Sequence, residues 1–443
     1  MSKYPILLIA DNDRNIYEVP NIPACGMQTG QYLRLKPEDL IPLPSGSELF
    51  ILPDRIPVGI DLESGLPQNI IENPFAPGQS CYPVAAFVSP GYTQVQTAAY
   101  SEYEKTDYNS SNTVILPLFS YSAVAWFKNK IHVAALRVDR QRRQDLRLMN
   151  LGLVKKNTAV FQKIMPRNRL VKHLARCALT YCCPAARNFF LQRYECPLPA
   201  SPRCNARCLG CISLQPSGCC PATQPRIDFI PAPEEIAEVA LFHIKNVRQP
   251  VVSFGQGCEG EPLLVYKTLS QAIKLIRKQT KKGTINLNTN ASRPEAVAEL
   301  AQSGLDSIRV SLNSVREKYY SAYYRPASYK FRDVLKSISV MKSYNRFVSI
   351  NYLTLPGFTD LPSEVRALEK LITNKKIDMI QWRNLNYDPL RYIDSLGLNK
   401  NSSKKEKPIG LKILLKNLRQ KFPKLKFGYF NPYLPSPGKN IQL

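Results

Sequence analysis

The C-terminal part of the chain alternates short apolar runs with amphipathic stretches, and this alternation restricts the fold more than any other feature. Six strand–helix units in series predict a parallel sheet with right-handed crossovers. Six units are too few for a closed eight-stranded barrel, so we expect a partial (β/α)6 barrel with its chemistry at the carboxyl ends of the strands. The predicted strands are FFLQRYECPL, 251–254, 284–290, 306–314, 347–353, 378–384 and LKFGYF, and the predicted helices are 234–247, 263–280, 294–303, 330–344, 362–374 and 409–421.

The N-terminal part has a different pattern, in which proline and glycine separate short alternating apolar runs. This pattern is typical of strands and turns and does not support long helices. The sequence therefore predicts an α/β protein in four parts. These are a β-rich accessory domain (1–137), a basic, partly helical connector (138–190), the partial barrel (191–430) and a C-terminal tail (431–443).

The composition is that of a globular protein, because 44% of the 443 residues are hydrophobic and 21% are charged. This excludes a mainly disordered chain, a collagen-like fibre and a small disulfide scaffold. Lys and Arg number 60 against 34 Asp and Glu, a formal net charge of +26, which favours a polyanionic partner or reflects a generally basic proteome. No apolar run is long enough to span a bilayer and the N-terminus does not resemble a signal peptide, so we expect a cytoplasmic protein.

The cysteines are clustered, which in a cytoplasmic chain indicates metal binding or redox chemistry rather than disulfides. Cys204, Cys208 and Cys211 directly follow the first predicted strand of the barrel with the spacing C-x3-C-x2-C. Three thiolates at this spacing can bind three corners of a 4Fe–4S cluster and leave one iron open. The alternative is a zinc site with a fourth ligand from Cys196, Cys219 or Cys220.

This segment resembles the radical S-adenosylmethionine (radical SAM) superfamily, whose signature is a C-x3-C-x2-C loop after the first strand of a partial (β/α)6 barrel. The resemblance covers about residues 190–430. It implies two cofactors, a 4Fe–4S cluster and S-adenosylmethionine (SAM), and a reducing electron donor of the flavodoxin or ferredoxin type. In that family the open iron chelates SAM, and an electron from the cluster cleaves SAM to methionine and a 5′-deoxyadenosyl radical that abstracts hydrogen from the substrate.

Other segments resemble the family's SAM-binding motifs in the same order. Glu259-Gly260-Glu261-Pro262 stands in place of the Gly-Gly-Glu-Pro motif that holds the SAM amino group. A glycine permits close backbone approach and a carboxylate suits an ammonium group. The resemblance implies SAM contacts at Gly260 and Glu261, at the Thr289-Asn290 turn, and on the next strands at Ser311, Asn313 and Asn351.

Two positions depart from the family pattern. Gly210 stands before the third cysteine, where the family usually has an aromatic residue that packs on the adenine. Glu259 replaces a glycine, and we expect its side chain to be solvated at the rim of the site rather than directed at the substrate.

Further residues are candidates for the substrate side of the site. Gln381, Arg383 and Asn384 end the sixth strand, and Arg383 is suited to an acidic substrate group. We expect Tyr323, Tyr324 and Arg325 in the loop after the fourth strand and Cys258 near the SAM pocket. The remaining cysteines are buried thiols or ligands of an auxiliary metal, and they are Cys177, Cys182, Cys183, Cys196, Cys219 and Cys220.

The substrate stays open at this stage. A peptide or protein would account for the separate N-terminal domain, RNA would account for the basic charge, and a small metabolite needs neither feature. The competing class is a non-enzymatic zinc or Fe–S protein that binds nucleic acid. That class predicts neither the Glu-Gly-Glu-Pro turn nor a SAM-sized cavity at the mouth of the barrel.

Overall fold

The computed structural model describes residues 3–103, 115–215, 220–398 and 406–435. The N-terminal part of this structure consists of short strands, most of which join one eleven-stranded antiparallel sheet. Its strands β15 and β16 form a hairpin whose two turn residues, Lys128 and Asn129, have φ values of 49° and 60°, as a tight hairpin turn requires. The strands are β1 (Ile6–Ala10), β2 (Ile16–Pro23), β3 (Cys25–Gln28), β4 (Gln31–Arg34), β5 (Leu40–Pro42), β6 (Glu48–Ile51), β7 (Ile56–Ile60), β8 (Pro67–Asn69), β9 (Glu72–Asn73), β10 (Ala76–Ser80), β11 (Tyr82–Phe87), β12 (Tyr92–Gln94), β13 (Thr97–Ala98), β14 (Tyr100–Ser101), β15 (Ser122–Phe127) and β16 (Lys130–Arg137).

Three helices follow, α1 (Leu151–Ile164), α2 (Arg169–Leu179) and α3 (Pro184–Phe190). Asparagine side chains cap the first two, because Asn150 accepts the N–H of Leu153 and Asn168 accepts the N–H of Val171. Helix α2 buries one face that includes Leu170, Leu174 and Cys177 and exposes its basic residues. The predicted helical character of this segment is therefore explained by an amphipathic pattern.

The rest of the chain forms a seven-stranded parallel sheet whose strands lie in chain order, with helices between them. This is the curled sheet of a partial barrel, so the predicted fold class is confirmed. Its strands are buried because helices cover them, which agrees with their apolar composition. The strands are β17 (Glu195–Pro197), β18 (Val251–Phe254), β19 (Thr284–Thr289), β20 (Ser307–Leu312), β21 (Phe347–Thr354), β22 (Met379–Asn384) and β23 (Lys426–Gly428), and the helices are α4 (Pro233–Asn246), α5 (Tyr266–Gln279), α6 (Pro294–Ser303), α7 (Glu317–Tyr324), α8 (Phe331–Ser343), α9 (Pro362–Lys375), α10 (Pro389–Ser395) and α11 (Leu411–Lys421).

Two local predictions were wrong. The predicted strand FFLQRYECPL is a strand only over Glu195–Pro197, because Phe189 and Phe190 belong to α3 and pack with Phe161 of α1. Tyr323 and Tyr324 are not in a loop but in helix α7, and Arg325 ends that helix in a left-handed conformation.

The N-terminal strands contact the barrel directly. The backbone N–H of Gln94 donates to Oδ1 of Asn384 at 2.8 Å, and Arg55 pairs with Asp388 at the start of α10. The segment after residue 430 also begins inside the barrel, because Asn431 is buried and its amide donates to Glu195. The four-part division of the chain stays a prediction. Within the described ranges, we find no helix both long and apolar enough to cross a membrane.

Candidate functional site

A cavity of about 650 Å³ opens at the carboxyl ends of the barrel strands. This is the end of a parallel barrel at which active sites form. All three predicted cluster cysteines line it, together with Gly260, Glu261, Asn290, Ser311 and Asn351 from the predicted SAM set. Most of the site residues that the sequence predicted therefore line one continuous cavity.

The cysteine loop is attached to helix α7. The N–H of Leu209 donates to the carbonyl of Tyr323, and the N–H of Arg207 donates to the carbonyl of Tyr324, both at 3.0 Å. Ala206 also forms a β-bridge with Pro326 just after the helix. These bonds hold the loop at the mouth of the barrel and leave the thiols of Cys204, Cys208 and Cys211 half-buried at the cavity wall.

The polar surroundings of the three thiols differ. Burial raises the pKa of Cys204 to about 11 and also raises that of Cys208. Burial acts in the same direction on Cys211, but hydrogen bonds from Ser213 and Arg226 outweigh it and lower the pKa of this thiol. Nη2 of Arg226 lies 3.4 Å from Sγ of Cys211, so a guanidinium is available to stabilise a thiolate there.

The separation of the three thiols bears on the kind of metal group. Among the described residues, the group whose ligand atoms all lie within 4.8 Å of one another is His173, Cys177 and Cys258, and it does not include Cys204, Cys208 and Cys211. A single tetrahedral zinc ion places its sulfur ligands about 3.8 Å apart. The three thiols of the loop are therefore not already gathered around one ion, and in a 4Fe–4S cluster each thiolate would bind a different iron.

Gly260 joins the turn after β18 to the cysteine loop. Its N–H donates to the carbonyl of Ser201 at 2.6 Å, and the N–H of Glu261 donates to the carbonyl of Arg203 at 2.8 Å. A Cβ at position 260 would collide with the carbonyl of Arg203, so only glycine permits this approach.

The carboxylate of Glu261 connects the ends of β18 and β19. Oε1 accepts hydrogen bonds from the N–H of Leu263 at 3.0 Å and from Oγ1 of Thr289 at 2.5 Å, and Oε2 accepts the N–H of Asn290 at 2.8 Å. Burial raises the pKa of Glu261 to about 7, against the effect of these donors. A carboxylate has about four acceptor sites, so one remains for a ligand in the cavity.

The prediction that Glu259 is solvated was wrong. Its side chain is buried, and its two oxygens accept four backbone N–H groups, those of Ala200, Ser201, Gly255 and Gln256, at 2.7 to 3.0 Å. Burial raises its pKa to about 7, while the four donors oppose this shift. Glu259 thus connects the end of β17 to the end of β18, and although it lies at the cavity wall, its roughly four acceptor sites are already occupied by the backbone.

Asn290 lines the cavity, but both ends of its amide bind the protein. Nδ2 donates to Oδ1 of Asn205 at 2.8 Å, and Oδ1 accepts the N–H of Ser292 at 3.0 Å. Asn205 lies within the cysteine motif and also donates to Oγ of Ser292. This network joins the third-strand turn to the cysteine loop, so the geometry favours a positioning role for Asn290 over the predicted SAM contact.

Ser311 and Asn351 are neighbours on adjacent strands and both face the cavity. Oδ1 of Asn351 is buried and has no hydrogen-bond partner within the described residues. A buried amide oxygen without a donor is costly unless a ligand supplies one, which fits the predicted role of Asn351.

Asn313 does not line the cavity, because strand β20 ends at Leu312 and Asn313 leaves the inward alternation of Ser311. Its amide is completely buried and donates to the carbonyl of Tyr319 and to the hydroxyl of Tyr392, which holds α7 and α10 next to the end of β20. Its Oδ1, like that of Asn351, is buried without a partner among the described residues, and the SAM contact of Asn313 stays a prediction.

Two arginines lie side by side at the barrel mouth, and the sequence analysis missed one of them. Arg309 donates to Oε1 of Gln381 at 3.0 Å, while Arg383 stacks on the ring of Tyr429 at 3.8 Å. Burial and the neighbouring charge of Arg383 lower the pKa of Arg309. In the described part of the chain neither forms an ion pair, and each has a buried Nε without a partner. The sequence analysis missed Arg309. It could have been predicted from its position two residues before Ser311, which places both side chains on the same face of β20.

Comparison with known families decides the class of the barrel. Residues 198–371 match the profile of the Radical SAM superfamily. The chain contains a radical SAM domain. Members of this superfamily use a 4Fe–4S cluster and SAM, and the match marks the chain as an enzyme rather than as the non-enzymatic nucleic-acid-binding alternative.

Two curated relatives are both 27% identical to the chain. The probable dual-specificity RNA methyltransferase RlmN of Pseudothermotoga lettingae aligns over 191 residues, 40% of this chain and 50% of the relative. The dual-specificity RNA methyltransferase RlmN of Lawsonia intracellularis aligns over 194 residues, 39% of this chain and 51% of the relative. The chain thus spans about half the length of these relatives.

Solved structures of radical SAM proteins are more distant. Native anSMEcpe with bound AdoMet is 16% identical, with a TM-score of 0.33 over 44% of this chain and 51% of its own. Streptococcus suis SuiB is 14% identical, with a TM-score of 0.36 over 71% of this chain and 70% of its own.

The radical SAM domain accommodates its unusual Gly210 through tyrosines. A Cβ at position 210 would lie 2.9 Å from the hydroxyl of Tyr323 and 3.1 Å from the carbonyl of Asn386. Tyr323 and Tyr324 line the cavity from α7. Aromatic surface is therefore present beside the third cysteine although the motif itself lacks it.

The cysteines outside the C-x3-C-x2-C motif differ in burial, and Cys258 is not in the cavity where it was expected. Cys258 does not line the cavity but contacts Cys177 on α2. Cys196 is buried in β17, where its thiol faces the carbonyl of Pro197. Cys182 is exposed and Cys220 is buried, while Cys219 lies outside the described residues.

Proposed function

We propose that this chain is a radical SAM enzyme that holds a 4Fe–4S cluster on Cys204, Cys208 and Cys211 and acts on RNA. The observation that carries the proposal is the direct bonding of the cysteine loop to the Gly260–Glu261 turn at one cavity. That connection fixes the cluster ligands and the SAM motif relative to each other, which reductive SAM cleavage needs.

The donor set fits the cluster. Three thiols line one cavity, and they are not among the described groups whose ligand atoms already lie close enough for a single ion. When bound, a 4Fe–4S cluster supplies the electron for cleavage of SAM to methionine and a 5′-deoxyadenosyl radical, and a flavodoxin- or ferredoxin-type protein is the proposed source of that electron.

The residues of the cavity would bind SAM and orient it. Glu261 offers its remaining acceptor site to the SAM ammonium group, and Oδ1 of Asn351 accepts a second donor from the bound molecule. Asn290 and Asn205 keep the turn in place. The tyrosines of α7 give the cavity an aromatic wall beside the third cysteine.

The substrate side of the cavity favours an anion. Arg309 and Arg383 bring two guanidinium groups to the mouth, each with a buried Nε that has no hydrogen-bond partner among the described residues. Arginine binds phosphate through paired N–H donors, so a phosphodiester suits this pair. The net charge of +26 and the names of the two curated relatives also support RNA.

The proposal is tested with anaerobically reconstituted full-length protein, SAM and reductant, with cellular RNA or a tryptic peptide pool added. We expect RNA, and not peptides, to increase 5′-deoxyadenosine formation and to yield a modified nucleoside in a mass-spectrometric digest. An increase with peptides alone would replace RNA by a peptide or protein substrate.

The matched variants are Arg309→Gln and Arg366→Gln. Arg309 faces the cavity, whereas Arg366 pairs with Glu406 on the exposed surface of α9. We expect Arg309→Gln to lower the RNA-dependent increase and Arg366→Gln to leave it unchanged. Equal behaviour of the two variants would contradict the anion site.

A further inference from the structure

Helix α2 and the loop after β18 bring two thiols and an imidazole together beneath the main cavity. Ligand atoms of His173, Cys177 and Cys258 all lie within 4.8 Å of one another. Nε2 of His173 is 3.5 Å from Sγ of Cys177. Both cysteines are buried, with exposed fractions of 2% and 4%, and His173 is half-buried against the ring of Phe229.

We propose that His173, Cys177 and Cys258 form a structural zinc site, separate from the cluster. The proposal does not depend on the proposed function or on the substrate. Zinc prefers tetrahedral sets of cysteine sulfur and histidine nitrogen. For a zinc–sulfur distance of about 2.3 Å and a zinc–nitrogen distance of about 2.0 Å, a tetrahedral angle places the two ligand atoms roughly 3.5 Å apart. The separation of His173 Nε2 and Cys177 Sγ has this value.

The sequence spacing is also that of a metal site. His173 and Cys177 are four residues apart on α2, so their side chains lie on one face of the helix one turn apart. Cys258 reaches this face from the loop after β18, which is held by a hydrogen bond from the N–H of Ile227 to the carbonyl of Cys258 at 2.8 Å. Two ligands on a helix and a third on a fixed loop need little rearrangement to bind an ion.

Metal binding at this place would release the thiol protons, because cysteine binds an ion as a thiolate. The fourth position of the tetrahedron falls to water or to Cys183, whose backbone N–H donates to the carbonyl of Cys177 at 3.0 Å but whose thiol lies outside the 4.8 Å group and would have to move to bind.

The site would connect the connector helices to the SAM motif. Cys258 stands two residues before Gly260, and Gly260 is bonded to the cysteine loop. A zinc ion here would therefore fix α2 against the turn that positions the SAM-binding residues. The role is structural, because Cys258 does not line the cavity.

The test uses the full-length protein, reconstituted with iron and sulfide and then dialysed against a weak chelator. Zinc is measured by plasma mass spectrometry, and its affinity is measured by competition with a chromophoric chelator. We expect one zinc ion per chain, and a loss of more than about tenfold in zinc affinity in Cys177→Ser and Cys258→Ser. Cys81→Ser, which changes another buried thiol far along the chain, is the control and should keep the zinc.

A second measurement avoids dependence on variants that fail to fold. X-ray absorption at the zinc edge of the unsubstituted protein should show two or three sulfur ligands and one imidazole nitrogen. Retention of no zinc, an all-oxygen coordination shell, or unchanged affinity in Cys258→Ser would each overturn the proposal. A Cys177–Cys258 disulfide in the mass spectrum of the natively purified protein would overturn it as well.

Discussion

The guanidinium of Arg55 lies 3.0 Å from the carboxylate of Asp388, and both side chains are completely excluded from solvent. Arg55 belongs to the N-terminal β-rich region, just before β7, and Asp388 caps helix α10 of the barrel. Asp388 also accepts the hydroxyl of Tyr100 at 3.0 Å. The pair therefore forms a buried charged connection between parts of the chain that are far apart in sequence.

The first prediction concerns this pair. Asp388→Asn leaves the buried guanidinium of Arg55 with only the longer ion-pair contact to Glu102 at 3.6 Å, so it should destabilise the protein by about 3 kcal/mol in denaturant unfolding. The double variant Arg55→Met, Asp388→Asn should recover part of that loss, because it removes the buried charge and keeps an amide oxygen for Tyr100 and the helix cap. Glu406→Gln, which breaks an exposed pair with Arg366, should cost less than about 1 kcal/mol. Similar losses of unfolding free energy for Asp388→Asn and Glu406→Gln would show that the buried pair stabilises the protein no more than an exposed pair does.

The second prediction concerns the carboxylate at the SAM motif. Glu261→Gln removes a charge-assisted hydrogen bond to an ammonium group and should weaken SAM binding roughly tenfold to a hundredfold. The iron content should stay the same, since Glu261 is not a ligand. Glu299→Gln on the surface, where Glu299 pairs with Lys267, is the control. Unchanged SAM affinity in calorimetry, with the cluster intact, would contradict the role given to Glu261.

The third prediction concerns pH. Burial lowers the pKa of His243 to about 4, while its Nε2 lies 3.2 Å from the carbonyl of Tyr194. The unfolded chain, whose histidine has a pKa near 6.5, binds the proton more readily, so stability is lost as the pH falls from about 6.5 to 4. The loss from this residue should be about 3 kcal/mol. His243→Gln should flatten the stability profile in this window, and an identical profile in both proteins would refute the assignment.

The fourth prediction concerns salt. Each phosphate that the protein neutralises on single-stranded RNA adds a slope of ~0.7 to the fall of log affinity with log salt. We expect a steep slope for this chain and a slope smaller by about 0.7 in Arg309→Gln, with Arg366→Gln unchanged. A flat salt response in filter binding would remove nucleic acid as the substrate.

The sequence predicted most barrel elements to within one or two residues. Helix α6 and strand β18 have the predicted bounds, because apolar periodicity and Pro294 at the helix start define them locally. Helix α7 was missed because it has only eight residues and half of them are tyrosines, which favour strands, although these tyrosines share one buried face of the helix. Its stability comes from packing with the cysteine loop, which short-range patterns do not reveal.

Site residues that belong to a sequence motif could be predicted. The contacts of residues whose partners depend on how the chain packs could not. Glu259 looks like a surface acid in sequence, yet four backbone N–H groups converge on it only after the loop has folded. Cys258 turns away from the SAM cavity for a similar reason, since its neighbour in space is Cys177 on a preceding helix. Such contacts depend on tertiary packing rather than on spacing.

The most direct test of the account is SAM cleavage by the purified chain. After anaerobic reconstitution with iron and sulfide, addition of dithionite and SAM should produce 5′-deoxyadenosine and methionine in equal amounts. The variant with Cys204, Cys208 and Cys211 all changed to Ala should lose both the cluster iron and the product. Retention of a full cluster and of SAM cleavage by that triple variant would contradict the central claim.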